Sequence, residues 1–272
     1  MTSSPDYHLI ERGGPLIVSA PHPGRLLPPG LAERLTTEAL AQLDADHRVN
    51  ELYDVAEALH ASSLTAVWSR YVVDLNRPSD DTPLYPGQIG SGLVPTERFD
   101  GAPIYRRGEA PGRNEQADRV RRYWRPYHQT LERLIATAVE RHGYCLLWDC
   151  HSIDPVSPRL FDGRLPDLNL GSFDGRACPP ALAQAVQSVA SASSSFTSVL
   201  DGRFKGGFIT RHYGQPDRKV FALQLELSYS TYLKDGTPHA DGPSLDPDRV
   251  SRLKPILRSM LETFLNEAPR HV

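Results

Sequence analysis

The chain has 272 residues, a formal net charge of −3, 39% hydrophobic and 23% charged residues. That balance excludes disorder by composition and permits a sizeable core without disulfide or metal staples. The slight acidity excludes a broadly basic nucleic-acid surface. Three cysteines (Cys145, Cys150, Cys178) without Cys-x-x-Cys spacing exclude a disulfide framework and a cysteine zinc site. No apolar stretch approaches the ~18 residues of a membrane span. The opening MTSSPDYHLIERGG lacks the basic-then-apolar order of a signal peptide, so a cytoplasmic, reducing setting is expected. Twenty glycines and 24 prolines predict many shaped loops, where chemistry tends to sit.

In chain order, PLIVSAPH (15–22) reads as a buried strand with His22 at its end. Residues 31–44 and 48–60 read as helices, the second with Leu52, Val55, Ala56 and Leu59 on one stripe. LTAVW (64–68) and YVVDL (71–75) read as strands. The Pro/Gly-rich segment 78–113 has no period, yet Tyr85, Phe99 and Tyr105 predict an ordered, packed loop. A long helix is expected over 114–142, capped by Asn114 and broken or kinked at Pro126. YCLLWDC (144–150) is a second buried strand followed at once by His151.

Residues 179–192 read as a helix, and SASSSF after them as a surface turn. KVFALQLELS (219–228) is a strand with Phe221, Leu223, Leu225 and Leu227 on one face and Ala222, Gln224 and Glu226 on the other. An amphipathic helix over 246–266 closes the chain. With no internal repeat and no dividing linker, residues 1–272 are read as a single α/β layered domain.

His22 and His151 both sit at strand ends, where open α/β sheets gather ligands. Each taken singly is better explained as capping a strand end through a hydrogen bond to a loop. Asp46 lies between two expected helices and is an N-cap candidate. Two histidines plus one carboxylate are also the ligand set of catalytic zinc sites, with His47 as the alternative to Asp46. Glu226 interrupts an otherwise apolar strand. It needs an arginine partner, solvent, or a role as general base. Arg70, Asp74, Asn76 and Arg77 cluster in SRYVVDLNR, where arginine forks suit carboxylate capture or merely pair with the aspartates. Arg211 and His212 follow a double glycine that permits close backbone approach. The basic run RVRRYWRPYH reads as a helix with aromatics toward the core and arginines toward solvent, and Cys150 reads as core.

The stretches carrying these residues resemble one family, the N-formylglutamate amidohydrolases, also called N-formylglutamate deformylases. The similarity runs through SAPHPGRLLPP, DADHRVNELYD, SRYVVDLNRPSDDTPLYPGQ, LWDCHS, DLNLGSFDG, GRFKGGFITRHYGQP and QLELSYSTYL, about residues 16–232. The resemblance implies a three-layer α/β/α sandwich around a mixed sheet, of the zinc-dependent exopeptidase-like (phosphorylase/hydrolase-like) kind. It implies hydrolysis of N-formyl-L-glutamate to formate and L-glutamate, a step of histidine degradation. It further implies one Zn2+ per chain, or another divalent metal, on His22, Asp46 and His151, with Glu226 as the catalytic carboxylate. Asn76 and Arg77 look like the element that grips a substrate carboxylate, and Arg70, Arg211 and His212 are further candidates for a small dicarboxylate. One departure is Asn50, where family members often carry an aspartate; Asp46 takes that ligand role. No nucleic-acid or membrane partner is expected. The alternatives are a metallo-hydrolase of another N-acyl amino acid or short peptide, and a non-enzymatic metal-containing binding protein.

Overall fold

The computed structural model describes residues 6–84, 90–236 and 242–272. Seven strands pair into one sheet: β1 Tyr7–Ile10, β2 Leu16–Ala20, β3 Ser62–Ala66, β4 Cys145–Ile153, β5 Leu168–Gly171, β6 Ser198–Leu200 and β7 Val220–Ser228. Their order is β1-β3-β2-β4-β7-β5-β6. The β3–β2, β2–β4, β4–β7 and β5–β6 pairs are parallel, whereas β1–β3 and β5–β7 are antiparallel. The sheet is therefore mixed, as expected. Among the described residues five α-helices accompany it: α1 Arg113–Arg119, α2 Arg125–His142, α3 Pro180–Ser191, α4 Phe208–Tyr213 and α5 Pro247–Glu267.

Alternation along the two central strands explains the layering. Leu146, Trp148 and Cys150 of β4, with Phe221, Leu223, Leu225 and Leu227 of β7, share one apolar cluster with Leu182 and Val186 of α3 and Leu253, Leu257 and Met260 of α5. Cys145 and Leu147, with Val220 and Ala222, face the opposite cluster, which contains Leu131, Leu134 and Ile135 of α2. Period-2 strands with both faces apolar require a helical layer on each side, and that yields the three-layer sandwich. Cys150 is fully buried and its thiol pushed up by that burial, as a core residue should be.

Several expected elements differ. Residues 71–75 are not a strand: Asp74 accepts from the Asn76 amide (2.8 Å) and pairs with Arg70, and these local bonds turn the backbone away from a ladder. The segment 31–44 forms only short 3-10 turns, Ala32–Arg34 and Ala39–Ala41, since Thr36 Oγ1 takes the Ala39 amide and Gln42 adopts a left-handed conformation. Val49–Leu59 is also a 3-10 segment, with non-helical geometry at Tyr53. Pro126 does not break the long helix. A π segment, Val120–Trp124, precedes it, while the N-cap is Gly112 rather than Asn114. Tyr123 and Tyr127 are buried and Arg121, Arg122 and Arg125 exposed, but Arg119 is buried against Glu115 and the Tyr105 hydroxyl.

Phe99 and Tyr105 lie in an ordered, packed loop, whereas Tyr85 lies outside the described residues. SASSSF forms the surface turn leading into β6. α5 starts on Asp246, whose side chain accepts from the amides of Asp248 and Arg249.

Leu223 is fully buried at the centre of β7. Leu223→Ala should cost about 2–5 kcal/mol in urea unfolding, and a loss below about 1 kcal/mol would contradict this placement of the core. Asp246→Ala should cost about 1 kcal/mol through the lost cap alone.

Candidate active site

The face of the sheet that begins apolar at Cys145, Leu147, Val220 and Ala222 turns polar toward the strands' carboxyl ends. There β4 carries Asp149 and His151, and β7 carries Gln224 and Glu226, all buried. Parallel pairing sets Asp149 against Gln224 and His151 against Glu226 in register. His151 thus lies inside β4 rather than after it, as the ladder continues to Ile153. His22 follows β2, and its carbonyl accepts the Asp46 amide at 3.0 Å, which draws the turn before Val49 onto the sheet end.

His22, Asp46 and His151 each offer a ligand atom, and these atoms lie within 4.8 Å of one another. Asp46 Oδ2 is 2.9 Å from His151 Nδ1 and 3.7 Å from His22 Nδ1. Both imidazoles therefore turn the same nitrogen toward one carboxylate, with ring centres 5.0 Å apart. Their far nitrogens are fixed from behind. His22 Nε2 lies 2.7 Å from Asp74 Oδ1, and His151 Nε2 lies 3.3 Å from Asp149 Oδ2 and 2.8 Å from Asn76 Nδ2. Buried His22 Nδ1 has no hydrogen-bond partner among the described residues. An orphaned imidazole nitrogen, an adjacent carboxylate and a second imidazole backed by aspartate are the donor set and outer partners of a zinc site. The residues present fit that metal.

The electrostatics follow from burial. Burial would raise the Asp46 carboxyl, but the hydrogen bond from His151 and the nearby His22 imidazole hold it below the usual carboxylate range. His151 moves the other way: burial opposes its charge, and the carboxylates of Asp149 and Asp46 raise it well above the ordinary histidine value. Glu226 is pushed up to about 8, chiefly by burial, with Asp46 and Asp149 adding to the shift and His151 and Arg70 opposing it. Gln224 Nε2 donates to Glu226 Oε2 at 3.2 Å.

These side chains line a cavity of about 100 Å³ together with Arg70, Asn76, Arg77, Gly90, Ser91, Phe99, Leu160, Arg203, Phe204 and Gly207. Of the Pro/Gly-rich segment 78–113, Gly90, Ser91 and Phe99 line the cavity, while residues 85–89 lie outside the described ones. A larger neighbouring groove, about 950 Å³, contains none of His22, Asp46, His151 or Glu226. The candidate ligand cluster and Glu226 belong to the smaller cavity.

Arg70 reaches the cavity wall but is committed to Asp74 at 2.6 Å, with its guanidinium 4.7 Å from the Phe99 ring centre. Asn76 spans two elements, contacting His151 and accepting from the Ile209 amide at 2.8 Å. Arg77 is braced by Ser91 O (2.9 Å) and Ser91 Oγ (3.0 Å). Arg211 and His212 are not brought to the cavity: Arg211 bonds the carbonyls of Gly206 and Leu84 and lies over Phe173, and His212 stacks on Phe208. His47 lines the neighbouring groove beside Tyr229 and is not in the ligand cluster; Asn50 is exposed.

The double glycine has a steric purpose. A Cβ on Gly207 would sit 2.2 Å from Asn76 Nδ2, so only glycine lets this loop close on Asn76. Arg203 was not singled out by sequence reasoning. An arginine in a glycine-rich loop carries no periodic signal, and its place in the cavity depends on how that loop folds back.

The family model for N-formylglutamate amidohydrolase matches residues 14–233. The N-formylglutamate deformylase of Pseudomonas aeruginosa is 48% identical over 251 residues, covering 92% of each chain. That of Pseudomonas putida is 44% identical over 247 residues, covering 91% of this chain and 92% of its own. Among solved structures, an N-formylglutamate amidohydrolase from Ralstonia eutropha JMP134 shares the fold with a TM-score of 0.81 at 23% identity, covering 98% of this chain and 99% of its own. A gene product from Agrobacterium tumefaciens shares it with a TM-score of 0.71 at 17% identity, covering 96% of this chain and 95% of its own. The chain belongs to the N-formylglutamate amidohydrolase family.

Proposed function

We propose that this chain acts as one zinc-dependent amidohydrolase domain that hydrolyses N-formyl-L-glutamate to formate and L-glutamate, a cytoplasmic step of histidine degradation. The observation that carries the reading is the triangle of His22, Asp46 and His151 with Glu226 lining the same cavity. His22 Nδ1, His151 Nδ1 and the Asp46 carboxylate would hold the metal. Bound there, a divalent ion supplies Lewis-acid polarisation of the formyl carbonyl, acidifies the attacking water and lowers the proton affinity of nearby carboxyls.

The protein's own groups supply the rest. Gln224 occupies Glu226 Oε2, which leaves Oε1 to take a proton from the attacking water and return it to the departing nitrogen. Burial keeps the proton affinity of Glu226 above that of an ordinary carboxylate, as a group that both accepts and donates near neutrality requires. Asp74 and Asp149 hold the two imidazoles by their far nitrogens, and Arg70 neutralises Asp74. Asn76 braces His151, and the adjoining Arg77 offers a guanidinium for a substrate carboxylate.

The groove across Phe99 favours a second reading, in which a longer N-acyl amino acid or a short peptide enters. Relative turnover of N-formyl-, N-acetyl- and N-succinyl-glutamate separates the two; strong preference for formyl is the expected result.

Chelation should abolish N-formylglutamate hydrolysis and added zinc restore it, with far-UV circular dichroism unchanged. Unfolding on chelation would favour a structural metal instead. Glu226→Gln should lower kcat by about 10²–10⁴ while retaining metal; near-normal turnover would remove Glu226 from the base role. The same substitution should alter stability with pH. In chelated protein the folded state keeps the Glu226 proton up to about 8, whereas the unfolded chain loses it near 4.5. Wild-type stability should therefore fall across that window relative to Glu226→Gln, and parallel urea midpoints from pH 5 to 8 would contradict the burial argument.

A further inference from the structure

Three arginines line the catalytic cavity, and they differ in what already neutralises them. Arg70 is paired with Asp74 at 2.6 Å and lies 3.9 Å from Asp46. Arg77 donates to Ser91 O, Ser91 Oγ and Asn76 O, all uncharged acceptors. Arg203 donates through Nε (3.1 Å) and Nη2 (2.8 Å) to a single uncharged acceptor, Leu160 O. Neither Arg77 nor Arg203 has a carboxylate at ion-pair distance among the described residues, whereas the nearby Arg98 and Arg159 are paired with Asp100 and Glu97. Arg203 Nη1 has no acceptor among the described residues. A guanidinium held by one edge, with its other edge undersatisfied at a cavity wall, is prepared for an anion.

The surroundings of the two arginines separate their roles. Arg77 adjoins Asn76, which touches His151, so it belongs to the metal end of the cavity. Arg203 belongs to an apolar wall: its guanidinium lies 5.5 Å from the Phe204 ring centre, and Phe204, Leu160 and Phe99 pack on Ile153, Phe161 and Leu165. The loop that carries it is fixed at both ends. Asp201 Oδ1 accepts the Ser172 amide at 2.7 Å, and Lys205 O accepts the Phe173 amide at 2.7 Å. Arg203 is thus mounted on a loop tied to the end of β5, beside a surface suited to methylene groups.

The geometry points to Arg203 as the specificity-determining anchor for the side-chain carboxylate of an acidic N-formyl amino acid, with Phe99, Leu160 and Phe204 flanking its methylenes. Arg77 then takes the carboxylate next to the scissile amide. This assignment rests on the amidohydrolase reading above and extends it by naming what selects glutamate over its uncharged analogues. Arg203 touches substrate and not the reacting bond, so its removal acts on binding and selectivity.

The test measures kcat/KM on the zinc-loaded full chain for N-formyl-L-glutamate and N-formyl-L-glutamine, in wild type, Arg203→Gln and Arg203→Lys. Wild type should prefer the glutamate substrate. Arg203→Gln should reduce that preference about tenfold or more, mainly through KM, and Arg203→Lys should retain part of it. Arg77→Gln should instead weaken both substrates, since both keep the carboxylate beside the amide. If Arg203→Gln leaves the preference unchanged, or lowers both substrates equally with no recovery in Arg203→Lys, the anchor assignment is overturned while the amidohydrolase reading stands. Absence of wild-type turnover on N-formylglutamate overturns both.

Discussion

Two imidazoles turned by their Nδ1 edges onto one buried carboxylate are the arrangement on which the rest depends. Such a cluster is costly to bury, because Asp46, His22 and His151 are all nearly excluded from solvent. The fold offsets that cost by surrounding the cluster with fixed partners. Asp74 and Asp149 stand behind the histidines, Arg70 stands behind Asp74, and Asn76 braces His151. Each of these groups has few places to go, so the nitrogens that face inward are set by the nitrogens that face outward. The geometry of the cluster is thereby imposed from the outer partners, several of which lie in the irregular 69–77 segment rather than on a strand.

The sheet supplies the remaining constraint. β4 and β7 run parallel and in register, so His151 and Glu226 come side by side without help from any loop. Both strands are apolar on this face at their start and polar at their finish. The same alternation that seals the hydrophobic layer against α2 opens it into a cavity one pleat later. Cavity and core are two halves of a single pattern, and the cavity is small, while the broad groove beside it holds none of the proposed chemistry.

Much of this was legible in the residues. Period-2 alternation in KVFALQLELS separated the core face from the face bearing Glu226, and the apolar run before His22 located a strand end correctly. Asp46 was harder, since nothing in its local pattern distinguishes a ligand from a helix cap or from His47 next to it; the family resemblance singled it out. The failures have physical causes. Strands β1, β5 and β6 span four, four and three residues, too short for a period to register. YVVDL reads as a strand by composition, yet Asp74 bonds locally and breaks it. Arg211 and Arg203 share one glycine-rich stretch, and only the closure of Gly207 on Asn76 shows which of them faces the cavity.

Where a metal resides is the most direct test of the proposed site. Anomalous X-ray scattering at the zinc edge, from crystals of protein purified without chelator, measures that position without reference to activity. One strong peak is expected between His22 Nδ1, His151 Nδ1 and the Asp46 carboxylate. A catalytically competent crystal with no peak there, or with its zinc bound at His47 or elsewhere, would contradict it.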